Sequence, residues 1–321
     1  MIDLSNLIQL GDWRVCLVAY ADTQASLKNF MEQFRAFSIL TPNQDEKKSY
    51  LLIVSPHVLA KQQCPSCLDK KEQAEWEIFY PAFLSNYRQF LQARKSNSQK
   101  KSSAFVFAWP SLTTNHQNGI QDSQCTRFFV LAIENPQEEA AYLRIFGYTL
   151  FLANNWHIKQ NGLCIHSAAI ANKRQGFLFL GDSGAGKSTT ASVSVAAGHN
   201  ALGDDLNFIL ANGKEDYLLA AAPSPVISPV GYSMLRPLLR GIFILVKDTK
   251  DYLLPLSQKQ TALALFDSFQ KQTPYTRRLS DKLFAHAFHT IANIARHIPA
   301  YELHFRKTPD FWKLIDEKFS G

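Results

Sequence analysis

The chain has 321 residues, of which 46% are hydrophobic, enough for ordinary globular cores and about two domains. Its formal net charge is +7, with +1 carried by residues 1–150 and +6 by residues 151–321, a bias that suits an anionic ligand. No run of about 18 apolar residues occurs, and the first residues, MIDLSNLIQLGDWR, lack a basic segment followed by an apolar one. The expectation is a cytoplasmic protein with no membrane partner. The lysines are dispersed and no nucleic-acid-binding motif is visible, so no nucleic-acid partner is expected either. Five cysteines, Cys16, Cys64, Cys67, Cys125 and Cys164, are odd in number and scattered, which argues against a disulfide framework. Cys64-Pro65-Ser66-Cys67 has no second ligand pair at zinc spacing and reads as a chance loop pair.

In chain order, Trp13–Tyr20 reads as a strand, Ser26–Phe37 as a helix and Tyr50–Val54 as a second strand. Asp69–Ala93 is a long helical segment with an aromatic stripe that includes Trp76, Phe79 and Tyr80. Lys95–Lys101 and Thr113–Ser123 are polar and read as loops. Phe105–Trp109 and Phe128–Ile133 are strand-like, and Pro136 opens a helix to about Trp156. This half, residues 1–155, is expected to be an α+β domain without a chemical motif of its own. The second domain, 156–321, begins with two strands, Leu163–Ala171 and Gly176–Leu180, joined by a hairpin turn at Asn172–Gln175.

Directly after the second strand comes Gly181-Asp182-Ser183-Gly184-Ala185-Gly186-Lys187-Ser188, which fits the P-loop pattern G-x-x-x-x-G-K-[ST] at every fixed position. Thr189–Ala197 reads as the helix that must follow, stopped by Gly198. Glycines let the backbone close around a polyphosphate with its amides pointing inward, and the helix adds the positive end of its dipole. Lys187 would bridge the β- and γ-phosphates of ATP, and the Ser188 hydroxyl would ligate Mg²⁺. Such a loop needs a carboxylate partner, and Asp204-Asp205 follows at the edge of the next strand, with Leu206–Leu210 continuing as another. One of the pair would hold the metal and the other accept a proton from an attacking hydroxyl; adjacent strand residues point opposite ways, which suits two roles. His166, alone on its strand, reads at this level as an ordinary strand histidine.

Together His166-Ser-Ala-Ala-Ile, the hairpin, GDSGAGKS, the helix ending in Gly198-His199, and Gly203-Asp204-Asp205 resemble the catalytic domain of HPr kinase/phosphorylase. The resemblance implies an α/β P-loop kinase domain of the HPr kinase/phosphoenolpyruvate carboxykinase type. It gives His166 a place near the phosphates, Lys187 and Ser188 to ATP and Mg²⁺, and Asp204 and Asp205 to metal and acid/base work. A later E-x-R-G-x-G-I-I-N signature of that family is missing after residue 210, which puts phosphorolysis and HPr itself in doubt. Arg236 and Arg240 are the arginines considered for a transferring phosphoryl group, a solvated loop position being the alternative. Ile298–Phe305, Phe311–Asp316, Leu254–Leu256 and Thr261–Leu263 are most similar to HPr-kinase-related proteins of peptide-modification clusters, the SynChlorMet cassette family ScmC. The resemblance implies a serine kinase acting on a small protein or precursor peptide, with homo-oligomers left open. The alternatives are an ATP-binding accessory protein without turnover and a small-molecule kinase.

Overall fold

The computed structural model describes residues 4–19, 49–54, 106–109, 128–133, 139–224, 230–271 and 279–320, together with positions 37, 70, 73, 74, 76, 77, 85 and 228. The chain divides into two compact units: Met1–Gln9 with Trp13–Thr149, and Leu10–Asp12 with Leu150–Gly321. Cys64, Cys67, Cys125 and the two polar loops lie outside the described residues. So does most of the expected helical segments Ser26–Phe37 and Asp69–Ala93; described positions between 70 and 85 are helical.

The first unit carries a five-stranded sheet in the order β1-β2-β3-β5-β4, built from β1 (Leu4–Leu10), β2 (Trp13–Ala19), β3 (Ser49–Val54), β4 (Val106–Trp109) and β5 (Phe128–Ile133). β2, β3 and β5 run parallel, and β4 closes one edge antiparallel to β5. Four of these strands match the sequence reading, and β1 is an addition to it.

Helix α1 (Glu139–Lys159) carries the boundary between the units at Thr149 and Leu150, and the second unit builds a larger mixed sheet. The expected strand Leu163–Ala171 is two strands, β6 (Leu163–His166) and β7 (Ala168–Asn172). Ser167 breaks it. Its amide donates to the Asp205 carbonyl at 2.9 Å instead of entering a ladder, and its carbonyl accepts from the Asn207 side chain at 2.8 Å. β7 pairs antiparallel with β8 (Gln175–Leu180) across the expected hairpin, whose turn narrows to Lys173 and Arg174, with Lys173 at φ 58°. β9 (Asn200–Gly203) lies on the other edge of β7, while β10 (Leu206–Asn212) pairs with β6 and with β11 (Asp216–Ala221).

The middle of the sheet is β12 (Leu238–Lys247), parallel to β8 along one edge. Its other edge meets β11 at Leu238 and then runs parallel to β14 (Ala300–Phe305) from Ile242 to Lys247, with β13 (Tyr252–Pro255) outside. Helix α2 (Lys187–Ala196) packs on β7 and β9, and α3 (Gln258–Gln270) lies against β6 and β8 with α4 (Asp281–His297) packed on it. α3 starts from a Ser257/Gln260 capping box and α4 from a Ser280 cap.

The core beside the loop is aromatic. Phe179 stacks on Phe243 at 5.3 Å between ring centres, and Phe243 on Tyr301 at 5.9 Å. The last helix, α5 (Phe311–Phe319), lays Phe311, Trp312 and Ile315 on this cluster. Tyr301, Leu303 and Phe305 alternate along β14, and all three are buried. Burying each such ring contributes about 1.5–3 kcal/mol, and the Trp312 indole adds a 2.9 Å hydrogen bond to Ser194 Oγ on α2. That contact anchors the helix that carries Lys187.

Candidate functional site

The segment from β8 through Gly181–Gly186 into α2 has the strand–loop–helix order that the motif requires. Gly186 caps α2 with φ 115°, and a Cβ there would stand 3.0 Å from the Phe305 ring, so the position needs glycine on both counts. Gly184, at φ 79°, faces open space. Lys187 begins the helix and is only 7% exposed; its Nζ donates to the carbonyls of Gly181 at 2.9 Å and Asp182 at 3.1 Å. Burial pushes the Lys187 amine below the usual lysine range, and the Asp205 carboxylate partly restores it.

The loop separates two cavities. One, of about 460 Å³, is lined by His166, Ser183, Gly184, Gly186, Lys187, Ser188, Thr189, Asp204, Asp205, Ser224 and Ser228. Nine residues expected from sequence therefore converge from three stretches of chain. The other, of about 480 Å³, takes Gly181, Asp182 and Ala185 to its wall, with the end of β12 and residues of α3. Asp182 does not turn its carboxylate to the first cleft. It is exposed and ion-pairs with Lys271, whose hydrogen bond and charge hold the Asp182 carboxyl below its usual range.

Asp204 and Asp205 stand between β9 and β10, at the strand edge as expected, but in a bend, so strand alternation does not set their directions. The bend is pinned by the Ser167 amide on the Asp205 carbonyl and by Asn207, whose Nδ2 donates to Ser167 and Gly203. The two carboxylates still differ in setting. Asp204 is 8% exposed, whereas Asp205 reaches His166, its Oδ1 3.1 Å from His166 Nδ1. Asp205 Oδ2 accepts a 2.7 Å hydrogen bond from Ser224 Oγ. Burial works to raise the Asp205 carboxyl, but the hydrogen bonds from His166 and Ser224 and the charges of His166 and Lys187 hold it below the usual range.

Ser224, Asn207 and Lys271 escaped the sequence reading, because the contacts that give them a role come from remote stretches of chain, and Ser228, which only lines the cleft, escaped it too. Arg236 is bound to Asp12 and the Gly11 carbonyl, both grouped with the second unit, and Arg240 is exposed on β12. Neither lines the cleft. Among the described residues no group of three or more His, Cys, Asp or Glu is arranged to hold a metal ion. A cation here could take Ser188 and Asp204, with its remaining ligands from phosphate and water. Glycine backbone, a buried lysine and a serine at a helix start are the donor set that a polyphosphate needs.

A family model described as SynChlorMet cassette protein ScmC matches residues 133–320. The chain belongs to this family. The ScmC match takes in α1, the whole second sheet and every residue of the cleft. No curated protein matches the chain. Among the described residues of this ScmC-family protein no helix is long and apolar enough to cross a membrane.

Proposed function

We propose that this ScmC-family protein is an ATP- and Mg²⁺-dependent phosphotransferase of the HPr-kinase type. It transfers the γ-phosphoryl group to a hydroxyl, that of serine, on a small protein or precursor peptide. The observation that carries the reading is the convergence of Lys187 and Ser188 with Asp204, Asp205 and His166 in one cleft, beside a glycine-bearing loop. Residues 156–321 then form the ATP-binding domain and residues 1–155 recognise substrate or partner, in a cytoplasmic protein.

In this reading the loop amides and Lys187 grip the phosphates of ATP, and Ser188 and Asp204 hold the Mg²⁺ that arrives with it. That metal would supply charge neutralisation to the transferring group. Asp205 accepts the proton of the acceptor hydroxyl. Its carboxylate is kept ionised by His166 and Ser224, so it is ready as a base at neutral pH. Positioning and charge neutralisation supply most of the rate, as phosphoryl transfer demands. Conversion of MgATP to ADP with transfer to a candidate peptide, followed by mass spectrometry, tests the reading.

A second reading has one observation in its favour. The cleft lining contains no arginine among the described residues, and Arg236 is engaged elsewhere. An ATP-binding accessory protein that docks a precursor peptide without turnover needs no such group. Nucleotide binding without ADP formation or peptide phosphorylation distinguishes it from the kinase.

A further inference from the structure

Ser224 is held at the one carboxylate that the phosphotransferase reading assigns to proton abstraction. Its hydroxyl donates to Asp205 Oδ2 at 2.7 Å. That is the hydrogen bond an acceptor serine has to make before its proton can leave. The contact is built rather than incidental. The Ser224 amide donates to the Tyr232 hydroxyl at 2.9 Å, which fixes the backbone, and the residue is 3% exposed. Ser224 also lines the cleft that holds Lys187, Ser188 and the glycines of the loop. Ser228 lines the same wall, and its buried hydroxyl has no hydrogen-bond partner among the described residues, a polar group open to something that enters the cleft.

We propose that Ser224 is itself a phosphoryl acceptor, so that the chain modifies its own cleft when no outside acceptor is present. The proposal rests on the phosphotransferase reading and names its co-reactant, a nucleoside triphosphate with Mg²⁺. The Ser224 O–H bond breaks and the proton passes to Asp205 Oδ2. The Oγ–phosphorus bond forms as the bond from the γ-phosphorus to the β–γ bridging oxygen breaks, and the nucleoside diphosphate leaves with that oxygen and its electron pair. The product carries a phosphate dianion in the cleft that Lys187 and His166 also line. An outside serine that reaches Asp205 displaces the Ser224 hydroxyl, so the two acceptors compete for one base.

The test incubates the full chain with MgATP alone, follows ADP formation, and maps phosphate by peptide mass spectrometry. The expected result is a stoichiometry approaching one phosphoryl group per chain, located on Ser224. Ser224→Thr keeps a hydroxyl at the same place and should move the label to the new threonine, while Lys187→Ala should leave the chain unlabelled. ADP formation or labelling elsewhere with Ser224 unmodified overturns the inference and leaves the phosphotransferase reading standing. Absence of nucleotide binding, ADP and label overturns both.

Discussion

His166 Nδ1 stands 3.1 Å from Asp205 Oδ1 although the two come from different strand ends, β6 and the β9–β10 bend. The pairing fixes one oxygen of Asp205 and leaves the other to a hydroxyl, which Ser224 now occupies. His166→Ala removes a hydrogen bond and a charge that hold the carboxyl low, so Asp205 loses orientation and its pKa rises. The expected outcome is turnover reduced by about 10- to 100-fold with ATP affinity changed by less than about threefold, and an acid limb of the pH–rate profile shifted upward. Steady-state kinetics across pH checks this.

Asn207 carries the geometry of that pair. It is fully buried, and its Nδ2 reaches Ser167 O at 2.8 Å, Ser167 Oγ at 3.1 Å and Gly203 O at 3.2 Å. It therefore ties the break after His166 to the bend before Asp204. Asn207→Ala leaves those acceptors without their donor in a dry site, at a cost of about 1–3 kcal/mol. The expected outcome is a lower midpoint in denaturant and a larger fall in kcat than in ATP affinity.

His157 makes the second unit sensitive to acid. It is buried on α1, and burial pushes its pKa down to about 4, with the 2.8 Å hydrogen bond to the Leu10 carbonyl opposing the shift. The folded value lies below the ordinary one, so the charged form is disfavoured in the folded state. Above about pH 6.5 both states are neutral and the group has no effect. As pH falls from there toward about 4, the unfolded chain binds a proton that the folded chain refuses, and stability is lost, by about 3 kcal/mol in all. Below about 4 the loss levels off. His157→Gln is expected to flatten the dependence of unfolding free energy on pH in this window, whatever its effect at pH 7, as denaturant melts at several pH values would show.

What the sequence made legible was local. The loop, its strand and its helix lie within one continuous stretch, and glycine spacing with a following Lys-Ser leaves little choice of structure. The Leu206 strand, the β7–β8 hairpin and the alternation of Tyr301, Leu303 and Phe305 were readable for the same reason. The break at Ser167 was not, because only contacts remote in sequence, from Asp205 in the β9–β10 bend and Asn207 on β10, interrupt the ladder there. The edge position of Asp204 and Asp205 between two strands was legible, but the bend that replaces strand alternation there rests on the same pair of contacts. Ser224 and Lys271 had no pattern to betray them; their meaning comes from carboxylates remote in sequence. The starts of α3 and α4 did carry a signal, the Ser257-x-x-Gln260 box and Ser280, that periodicity alone overlooks.

The central claim is that Lys187 grips the donor and Asp205 activates the acceptor. The most direct measurement pairs ATP binding with γ-phosphoryl transfer in Lys187→Ala and Asp205→Asn, each beside the unaltered chain. The account predicts that Lys187→Ala loses binding and transfer together. It predicts that Asp205→Asn binds ATP within a few-fold of the unaltered chain while transfer falls by about 10²- to 10⁴-fold. Transfer at the unaltered rate in either variant would contradict it.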